Sequence, residues 1–319
     1  MKYRNLGRLP LRVSEIGLGT AQLSNTDGRC QGVKPMEPAL ARRILATSIE
    51  LGVNFFDTGD EYGSAELLLG ELSSQTKSAI TIATKAGRKP GGSRDFSEAY
   101  LRERVDRSLK RLRVDRLDLF QVNKPSKANL EDGRVFALLA ELKAAGRIRF
   151  AGVVVGDTET GFQCLRAEAV DCVQVLYNLL WQQTEDLIGE AACRGIGVII
   201  RSPLNSGLLS GTYTRGTVFP SVDERSQYFT GKMLEDRLVL LQNIQRDLEI
   251  DDRDLLETSL RFVLSNPQVS VSIPGASSVE QAIRYIKCSE KGALNAVEIE
   301  RIKEIVSRYM HDVSQAFQT

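Results

Sequence analysis

The chain has 319 residues, of which 42% are hydrophobic, 26% charged and 6% aromatic. This balance is typical of a globular protein and excludes a chain that is mainly disordered. With 42 basic and 41 acidic residues the formal net charge is +1, which gives no electrostatic basis for binding nucleic acid or a membrane surface. The single histidine, His311, excludes two-histidine zinc sites and Ser-His-Asp chemistry unless its segment folds back into a site.

The cysteines and the first residues bear on the compartment. No CxxC pair occurs, so we expect free thiols in a reducing environment. The start of the chain lacks the apolar core of a signal peptide, and no stretch approaches the roughly 20 apolar residues of a membrane span. A cytoplasmic protein without membrane association is therefore expected, and no residue spacing suggests a metal site. The five cysteines are Cys30, Cys164, Cys172, Cys193 and Cys288.

Apolar runs of strand length alternate along the chain with longer amphipathic stretches. A short hairpin is predicted over residues 3–13. Strands are then predicted over residues 13–19, 53–57, 79–85, 117–122, 150–155, 172–177, 197–200 and 269–273. Helices are predicted over residues 36–51, 65–72, 97–112, 130–145, 158–168, 185–194, 254–264 and 278–287.

Eight such strand–helix units favour a closed (β/α)8 barrel over an open doubly wound sheet. We expect this α/β barrel to form one domain over residues 1–319. The glycines match neither the GxGxxG nor the GxxxxGK[ST] pattern, so a Rossmann or P-loop site is not supported. Outside the repeat, residues 212–232 are predicted as a long loop, and residues 237–248 and 295–310 as an extra helix and a C-terminal helix.

Polar residues follow several predicted strands, at the end where barrels place their chemistry. Asp57 ends the second strand, Tyr62 comes five residues later, and Lys85 ends the third. A phenol is a weak acid at neutral pH, but a neighbouring ammonium favours its ionised form, and a carboxylate keeps that ammonium charged. Tyr62 could then protonate a carbonyl oxygen as hydride arrives. The alternative is a structural Asp57–Lys85 ion pair, with Tyr62 as a partly exposed loop residue.

Two turns suit a phosphate group. The sequence SPLNSGLLSG (202–211) is a loop of small residues after the seventh strand, and PGASS (274–278) leads into a helix N-terminus. Backbone N–H groups in such segments bind phosphates, and barrels often do so after strands seven and eight. The alternative is a pair of ordinary strand–helix turns.

Short motifs run through nearly the whole chain: GLGT (17–20), GVNFFDTGDEYG (52–63), TK (84–85), LDLFQ (117–121), GRIR (146–149), Gln174 with YNLL (177–180), SPL (202–204) and IPGA (273–276). Together they resemble the aldo-keto reductase superfamily. The resemblance implies a barrel that binds an extended nicotinamide dinucleotide, NADPH as the expected cofactor and NADH as the alternative. It also implies hydride transfer to a small-molecule aldehyde or ketone.

The resemblance carries over to particular residues. The catalytic group it implies consists of Asp57, Tyr62, Lys85 and Asn123, with Tyr62 as the general acid. The cofactor-binding residues it implies are Thr20, Asp57, Gln174, Arg201, Ser202, Leu204, Ser206, Gly275, Ser277, Gln281 and Arg284.

The chain departs from the family pattern at three places. Asn123 stands where the family has its catalytic histidine, and an amide can donate a hydrogen bond but cannot relay a proton. Val154 and Val155 stand where the family usually has the Ser-Asn pair that holds the nicotinamide carboxamide. At the adenine end, Arg284 and Tyr285 replace the usual Glu and Asn, so Arg284 is a candidate partner for a 2′-phosphate.

Three functions are therefore carried forward. The first is reduction of a polar carbonyl compound, such as a sugar or a sugar-derived ketone. The second is a non-redox acid/base reaction on the same barrel, such as an epimerisation, an elimination or an isomerisation. The third is a redox sensor that retains the dinucleotide and turns over little. The expected oligomeric state is a monomer or a weak homo-oligomer.

Overall fold

An antiparallel hairpin opens the chain, with β1 (Tyr3–Asn5) paired to β2 (Arg12–Ser14) as predicted. The structure is a computed structural model that describes residues 1–24, 35–76, 79–89, 91–221 and 223–310. Cys30 and His311 lie outside these ranges. The other four cysteines are free thiols.

Eight parallel strands follow the hairpin, each hydrogen-bonded to the next in chain order. Bridges from Ile16 to Ser272 and from Gly19 to Gly275 join the first strand to the last, so the sheet closes on itself. This confirms the predicted (β/α)8 barrel. The strands are β3 (Leu18–Gly19), β4 (Phe55–Asp57), β5 (Thr81–Ala86), β6 (Leu117–Asn123), β7 (Ile148–Val154), β8 (Cys172–Leu176), β9 (Gly197–Arg201) and β10 (Val271–Ser272).

Helices surround the barrel and connect its strands. They are α1 (Pro38–Glu50), α2 (Ala65–Gln75), α3 (Glu98–Leu112), α4 (Lys127–Glu131), α5 (Arg134–Ala144), α6 (Thr158–Leu165), α7 (Glu185–Cys193), α8 (Arg225–Tyr228), α9 (Gly231–Leu248), α10 (Asp252–Ser265), α11 (Val279–Lys291) and α12 (Ala296–Met310). None of these described helices is long and apolar enough to cross a bilayer.

Two predicted segments differ from the structure. The helix predicted over 130–145 is interrupted between α4 and α5, because Gly133 has φ +72°, a left-handed conformation that favours glycine. The segment 212–232, predicted as a loop, contains α8 and the start of α9. The extra helix predicted over 237–248 is the C-terminal part of α9.

The C-terminal helix α12 begins as predicted. The Asn295 side chain accepts a hydrogen bond from the Glu298 backbone N–H at 2.9 Å, and the Glu298 carboxylate accepts one from the Asn295 N–H at 2.7 Å. This reciprocal pair satisfies two N–H groups that the first turn of a helix leaves free.

The hairpin determines which end of the barrel is open. Leu6 and Val13 are fully buried and pack with Phe55, Leu119 and Cys172, which lie at or near the N-terminal ends of their strands. This apolar plug closes the N-terminal end of the barrel. The C-terminal ends of the strands are therefore left as the face on which polar groups can meet a ligand.

Candidate active site

A cleft of about 410 Å³ opens at the C-terminal ends of the strands, within the range usual for small-molecule sites. Its lining mixes charged side chains, backbone of the loops after β9 and β10, and few apolar groups. The candidate residues that line it are Asp57, Tyr62, Lys85, Asn123, Gln174, Arg201, Ser202, Leu204, Ser206, Gly275, Ser277 and Gln281.

Asp57, at the end of β4, is held by donors from three other strands. The Lys85 ammonium on β5 forms an ion pair with Asp57 Oδ1 and donates to the Thr58 carbonyl at 2.8 Å. The amides of Gln121 and Gln174, on β6 and β8, donate to Asp57 Oδ2 at 3.0 and 2.7 Å. All four side chains are buried, so the carboxylate and the ammonium are fixed in position.

Tyr62 lies beside the Lys85 ammonium. The Lys85 Nζ is 4.7 Å from the centre of the Tyr62 ring, and the two side chains are hydrogen-bonded. Burial alone would lower the pKa of Lys85, but the charge of Asp57 and the hydrogen bonds to Asp57 and Tyr62 raise it above its ordinary value. The ammonium therefore stays protonated next to the phenol.

Asn123 and Val154 face the cleft on neighbouring strands, in register with each other and with Gln174. The backbone after β6 is held by the Arg94 guanidinium, which donates to the carbonyls of Asn123 and Lys124 at 2.8 and 2.7 Å. Val155 is buried and does not line the cleft. Asn123 thus presents the one amide that β6 and β7 contribute to the lining.

The loop after β9 has an uncommon backbone. Ser202, Asn205 and Ser206 have φ of +50°, +46° and +53°, a region that residues other than glycine rarely adopt. Hydrogen bonds hold this shape: Asn178 donates to the Ser202 carbonyl at 3.1 Å, and the Tyr213 hydroxyl donates to the Ser206 carbonyl at 2.6 Å. Strained backbone of this kind is often found where a loop binds a ligand.

The far end of the cleft lies at the N-terminus of α11. The Ser277 N–H and hydroxyl both donate to the Gln281 side-chain oxygen, at 2.8 and 2.9 Å. Gln22 packs directly over Gly275, where a Cβ atom would collide with it. Gln22, Ser277 and Gln281 form a small polar shelf beside the N-terminus of α11.

Two of the candidates do not line the cleft. Thr20 is fully buried, and its hydroxyl donates to the Asp57 carbonyl at 3.1 Å. Arg284 is exposed on α11 and donates to the Arg253 carbonyl. Tyr285, its neighbour, lines the cleft instead.

The structure adds acidic residues that the sequence did not single out. Burial and the nearby Glu66 raise the pKa of Asp60 to about 7. Burial likewise raises the pKa of Glu61 to about 7, against the opposing charge of Arg88. Both directly precede Tyr62 in the chain, so the loop that carries the phenol also carries two carboxyl groups with raised pKa values.

The structure also adds basic residues and a second segment to the site. Arg88 and Arg94 come from the loop after β5, and residues 213–228 contribute Tyr213, Glu224, Arg225 and Tyr228. No sequence pattern marked these loop residues. Gln121 could have been found, because it lies two residues before Asn123 and side chains at that spacing share one face of a strand.

Comparisons with known proteins cover most of the chain and agree on one family. The model of the aldo/keto reductase family matches residues 15–307. The oxidoreductase YqkF of Bacillus subtilis (strain 168), whose own role is uncharacterised, is 28% identical over 326 residues and covers 99% of each chain. L-galactose dehydrogenase of Arabidopsis thaliana is 26% identical over 295 residues, covering 88% of this chain and 86% of that protein.

Solved structures have the same fold. The holo form of an aldo-keto reductase from Bacillus halodurans superimposes with a TM-score of 0.79 at 27% identity, covering 96% of both chains. A glycerol dehydrogenase from Gluconobacter oxydans has the same TM-score at 24% identity, covering 96% of this chain and 95% of that one, and supports the fold alone. The family model spans nearly all of the sequence and its relatives are oxidoreductases, so this chain belongs to the aldo/keto reductase family.

Proposed function

We propose that the protein is an NAD(P)H-dependent oxidoreductase that reduces an aldehyde or ketone, with Tyr62 as the general acid. The observation that carries the proposal is the hydrogen-bonded series Tyr62–Lys85–Asp57 at the wall of the cleft. A charged ammonium beside a phenol stabilises the phenolate, which makes the phenol a stronger acid. Carbonyl reduction needs such an acid beside the carbonyl oxygen.

The residues fit a dinucleotide cofactor at its phosphate end. The strained loop after β9 and the shelf at Ser277 line one continuous cleft with Tyr62. Gly275 fits the close approach of a ligand at this end of the cleft, because a Cβ atom there would collide with Gln22. At the nicotinamide end Val154 offers no polar group, so Gln174 is the side chain that would hold the carboxamide.

When bound, the nicotinamide supplies a hydride to the carbonyl carbon. Tyr62 donates its hydroxyl proton to the carbonyl oxygen, which leaves a phenolate beside Lys85. The Lys85 charge stabilises that phenolate, and Asp57, fixed by two amides, keeps Lys85 in place. Asn123 donates an amide hydrogen bond to the carbonyl oxygen and so orients it, and Tyr62 regains its proton from water.

The substrate we propose is a small polar carbonyl compound, such as a sugar or a sugar-derived ketone. The cleft is lined largely by charged and hydroxyl side chains, which suits a hydroxylated substrate better than an apolar one. That one relative is an L-galactose dehydrogenase supports this class.

Tyr62→Phe tests the assignment of the acid. The change removes only the hydroxyl, so we expect the turnover of aldehydes to fall by about 100-fold or more, while affinity for NADPH, measured by calorimetry, is retained. Tyr3→Phe is the matched control, because Tyr3 is exposed on β1, away from the cleft, and its hydroxyl donates to the Gly52 carbonyl. Wild-type turnover in Tyr62→Phe would refute the role of Tyr62.

A titration with NADPH and separately with NADH tests the cofactor. We expect micromolar or tighter binding, with NADPH preferred. Binding of neither nucleotide would refute the redox proposal and leave Tyr62 and Lys85 to a non-redox acid/base reaction. Tight binding with negligible turnover of every carbonyl tried would favour a redox sensor.

A further inference from the structure

Most charged side chains that line the cleft are already paired with an opposite charge. Lys85 is paired with Asp57, Arg88 with Glu224 and, at 3.8 Å, with Glu61, and Arg225 with Asp223. These pairs use the carboxylates Asp57, Glu61 and Glu224, which are the acidic residues in the lining. The lining therefore contains no carboxylate left over for its remaining cations.

Three cations remain: Arg94, Lys124 and Arg201. None of them has an ion-pair partner among the residues that the structure describes, although all three line the cleft. Arg201 also has a buried Nε without a hydrogen-bond partner in the described chain. Like charges gathered in a partly buried cleft repel one another and are costly unless a ligand compensates them.

Lys124 is held in an uncommon backbone conformation that keeps it at the cleft. Its φ is +53°, although a non-glycine residue at positive φ costs free energy unless its surroundings impose it. Its surroundings do impose it: its N–H donates to the Val154 carbonyl at 2.9 Å, and its carbonyl accepts from Arg94 at 2.7 Å. The conformation follows directly after Asn123, so Lys124 lies next to the carbonyl-orienting amide.

The electrostatic environment of Lys124 favours binding of a negative group. The pKa of Lys124 is lowered to about 7, chiefly by the positive charge of Arg201 and next by burial and by the charge of Arg94. Glu224 opposes the shift, but Arg88 pairs with it, and the charge of Arg88 itself lowers the pKa further. An anion placed between Lys124 and Arg201 would reverse this effect and draw a proton onto Lys124.

We propose that Lys124 and Arg201 form a recognition site for an anionic group, a carboxylate or a phosphate, carried by the carbonyl substrate. The inference rests on the proposed reduction and names a class within it: short carbonyl compounds with a negative charge a few bonds from the carbonyl. Arg94 is a positioning residue, because it holds the backbone of residues 123 and 124. Its guanidinium adds to the positive potential at the same mouth of the cleft.

Turnover of matched compounds tests this class. Succinic semialdehyde is compared with butanal, and glyceraldehyde 3-phosphate with glyceraldehyde, so that one pair differs by a carboxylate and the other by a phosphate. We expect at least one anionic compound to have a kcat/KM about tenfold or more above its neutral partner, since hydrogen bonds to charged groups are strong. Which pair shows the preference identifies the anion, and no preference in either pair overturns the proposal.

Lys124→Met removes the charge while keeping most of the side-chain length. We expect it to reduce the ratio of kcat/KM for the anionic and neutral compounds about tenfold or more. Lys127→Met is the matched control, because Lys127 is exposed on α4 and paired with Glu159, and its ratio should equal that of the wild type. A preference that persists unchanged in Lys124→Met would overturn the role of Lys124.

Calorimetry with succinate and with inorganic phosphate gives a second test that does not depend on turnover. Heats of succinate binding measured at pH 8 in two buffers of different ionisation enthalpy should show that the wild type takes up a proton on binding and that Lys124→Met does not, because a group with a pKa of about 7 is mostly neutral at pH 8. If no carbonyl is reduced but this uptake is seen, the proposed function fails and the anion site stands. Absence of anion binding, or equal binding and uptake in the variant, overturns the anion site even where carbonyls are reduced.

Discussion

Asn123 differs from Tyr62 and Lys85 because its side chain cannot gain or lose a proton near neutral pH. Its amide can orient a carbonyl oxygen, but it has no titrating proton, so in the proposed reduction Tyr62 alone would supply the acid. The backbone at Asn123 is held through its carbonyl by Arg94, so a different side chain at this position leaves that contact in place. A substitution here therefore tests the side chain and not the loop.

Asn123→His is expected to raise the turnover of simple aldehydes by about tenfold or more, because an imidazole can both donate to the carbonyl and exchange protons near neutral pH. The measurement is kcat for butanal against pH, beside the wild type. Asn123→Gln serves as the control, since it changes length and keeps an amide. An unchanged or lower kcat would mean that the amide is adapted to the enzyme's own substrate.

Single residues also show what the sequence could predict of the site. Asp57 and Asn123 end their strands, Lys85 lies one residue before a strand end and Gln174 two. The apolar runs of the strands were therefore enough to locate them. The loop residues Arg88, Arg94 and Glu224 lie beyond any periodic pattern, since a loop's path depends on contacts distant in sequence. Arg284, predicted as a partner for a 2′-phosphate, lies on a face of α11 whose direction the sequence alone could not determine.

At the scale of an element, the short loop that leads into α2 positions Tyr62, the proposed acid. Asp60 is 5% exposed, and its Oδ1 has no hydrogen-bond partner in the described chain. Its N–H donates to the Lys85 carbonyl at 3.0 Å, and its carbonyl accepts from Arg111 at 2.9 Å. These backbone contacts tie the loop that carries Tyr62 to β5 and α3, and they bury the Asp60 carboxyl group, whose Oδ2 is 3.8 Å from the Arg104 guanidinium.

This buried carboxyl should make stability depend on pH. The pKa of Asp60 is about 7 when folded against an ordinary 3.8, so the folded state binds more protons between those values. Stability contributed by the bound proton is therefore present at low pH and lost as pH rises from about 4 to 7, by up to roughly 1.4 kcal/mol per pH unit. Glu61 has a similarly raised pKa and adds to the slope.

Asp60→Asn is neutral at every pH and should be more stable than the wild type at pH 8 by about 1–4 kcal/mol relative to their difference at pH 5. Urea unfolding at both values measures this change. Asp236→Asn is the control, because Asp236 is exposed on α9. If the difference between Asp60→Asn and wild type is the same at both pH values, Asp60 is ionised in the folded protein.

Two helical segments show where sequence periodicity did not predict the structure. The apolar spacing continues from α4 through α5 and hides the break at Gly133, because a left-handed turn changes direction without changing composition. In the segment 212–232 the helix α8 is only four residues long, too short to show a period. The strands were predicted well because buried parallel strands are almost continuously apolar.

At the scale of the whole molecule, stability and chemistry are placed at opposite ends of the barrel. The hairpin plugs the N-terminal end with apolar side chains, and the polar cleft occupies the C-terminal end. Between the plug and the cleft lie Asp57 and the two side-chain amides that donate hydrogen bonds to it, those of Gln121 and Gln174. Damage to the plug should therefore reduce the free energy of unfolding without altering the geometry of the cleft.

Leu6→Ala tests this separation. Leu6 is 0% exposed and packs so closely on Gly197 that a Cβ there would lie 2.8 Å from its Cδ1, so truncation should leave a cavity and cost about 2–5 kcal/mol in urea unfolding. Leu67→Ala, on the exposed side of α2 at 43% exposure, should cost less than about 0.5 kcal/mol. Both variants should retain the wild-type KM for NADPH, the proposed cofactor, because Asp57 and its amide partners lie between the plug and the cleft. A raised KM in Leu6→Ala alone would show that the plug sets the spacing of the strand ends, and that the two ends of the barrel are coupled.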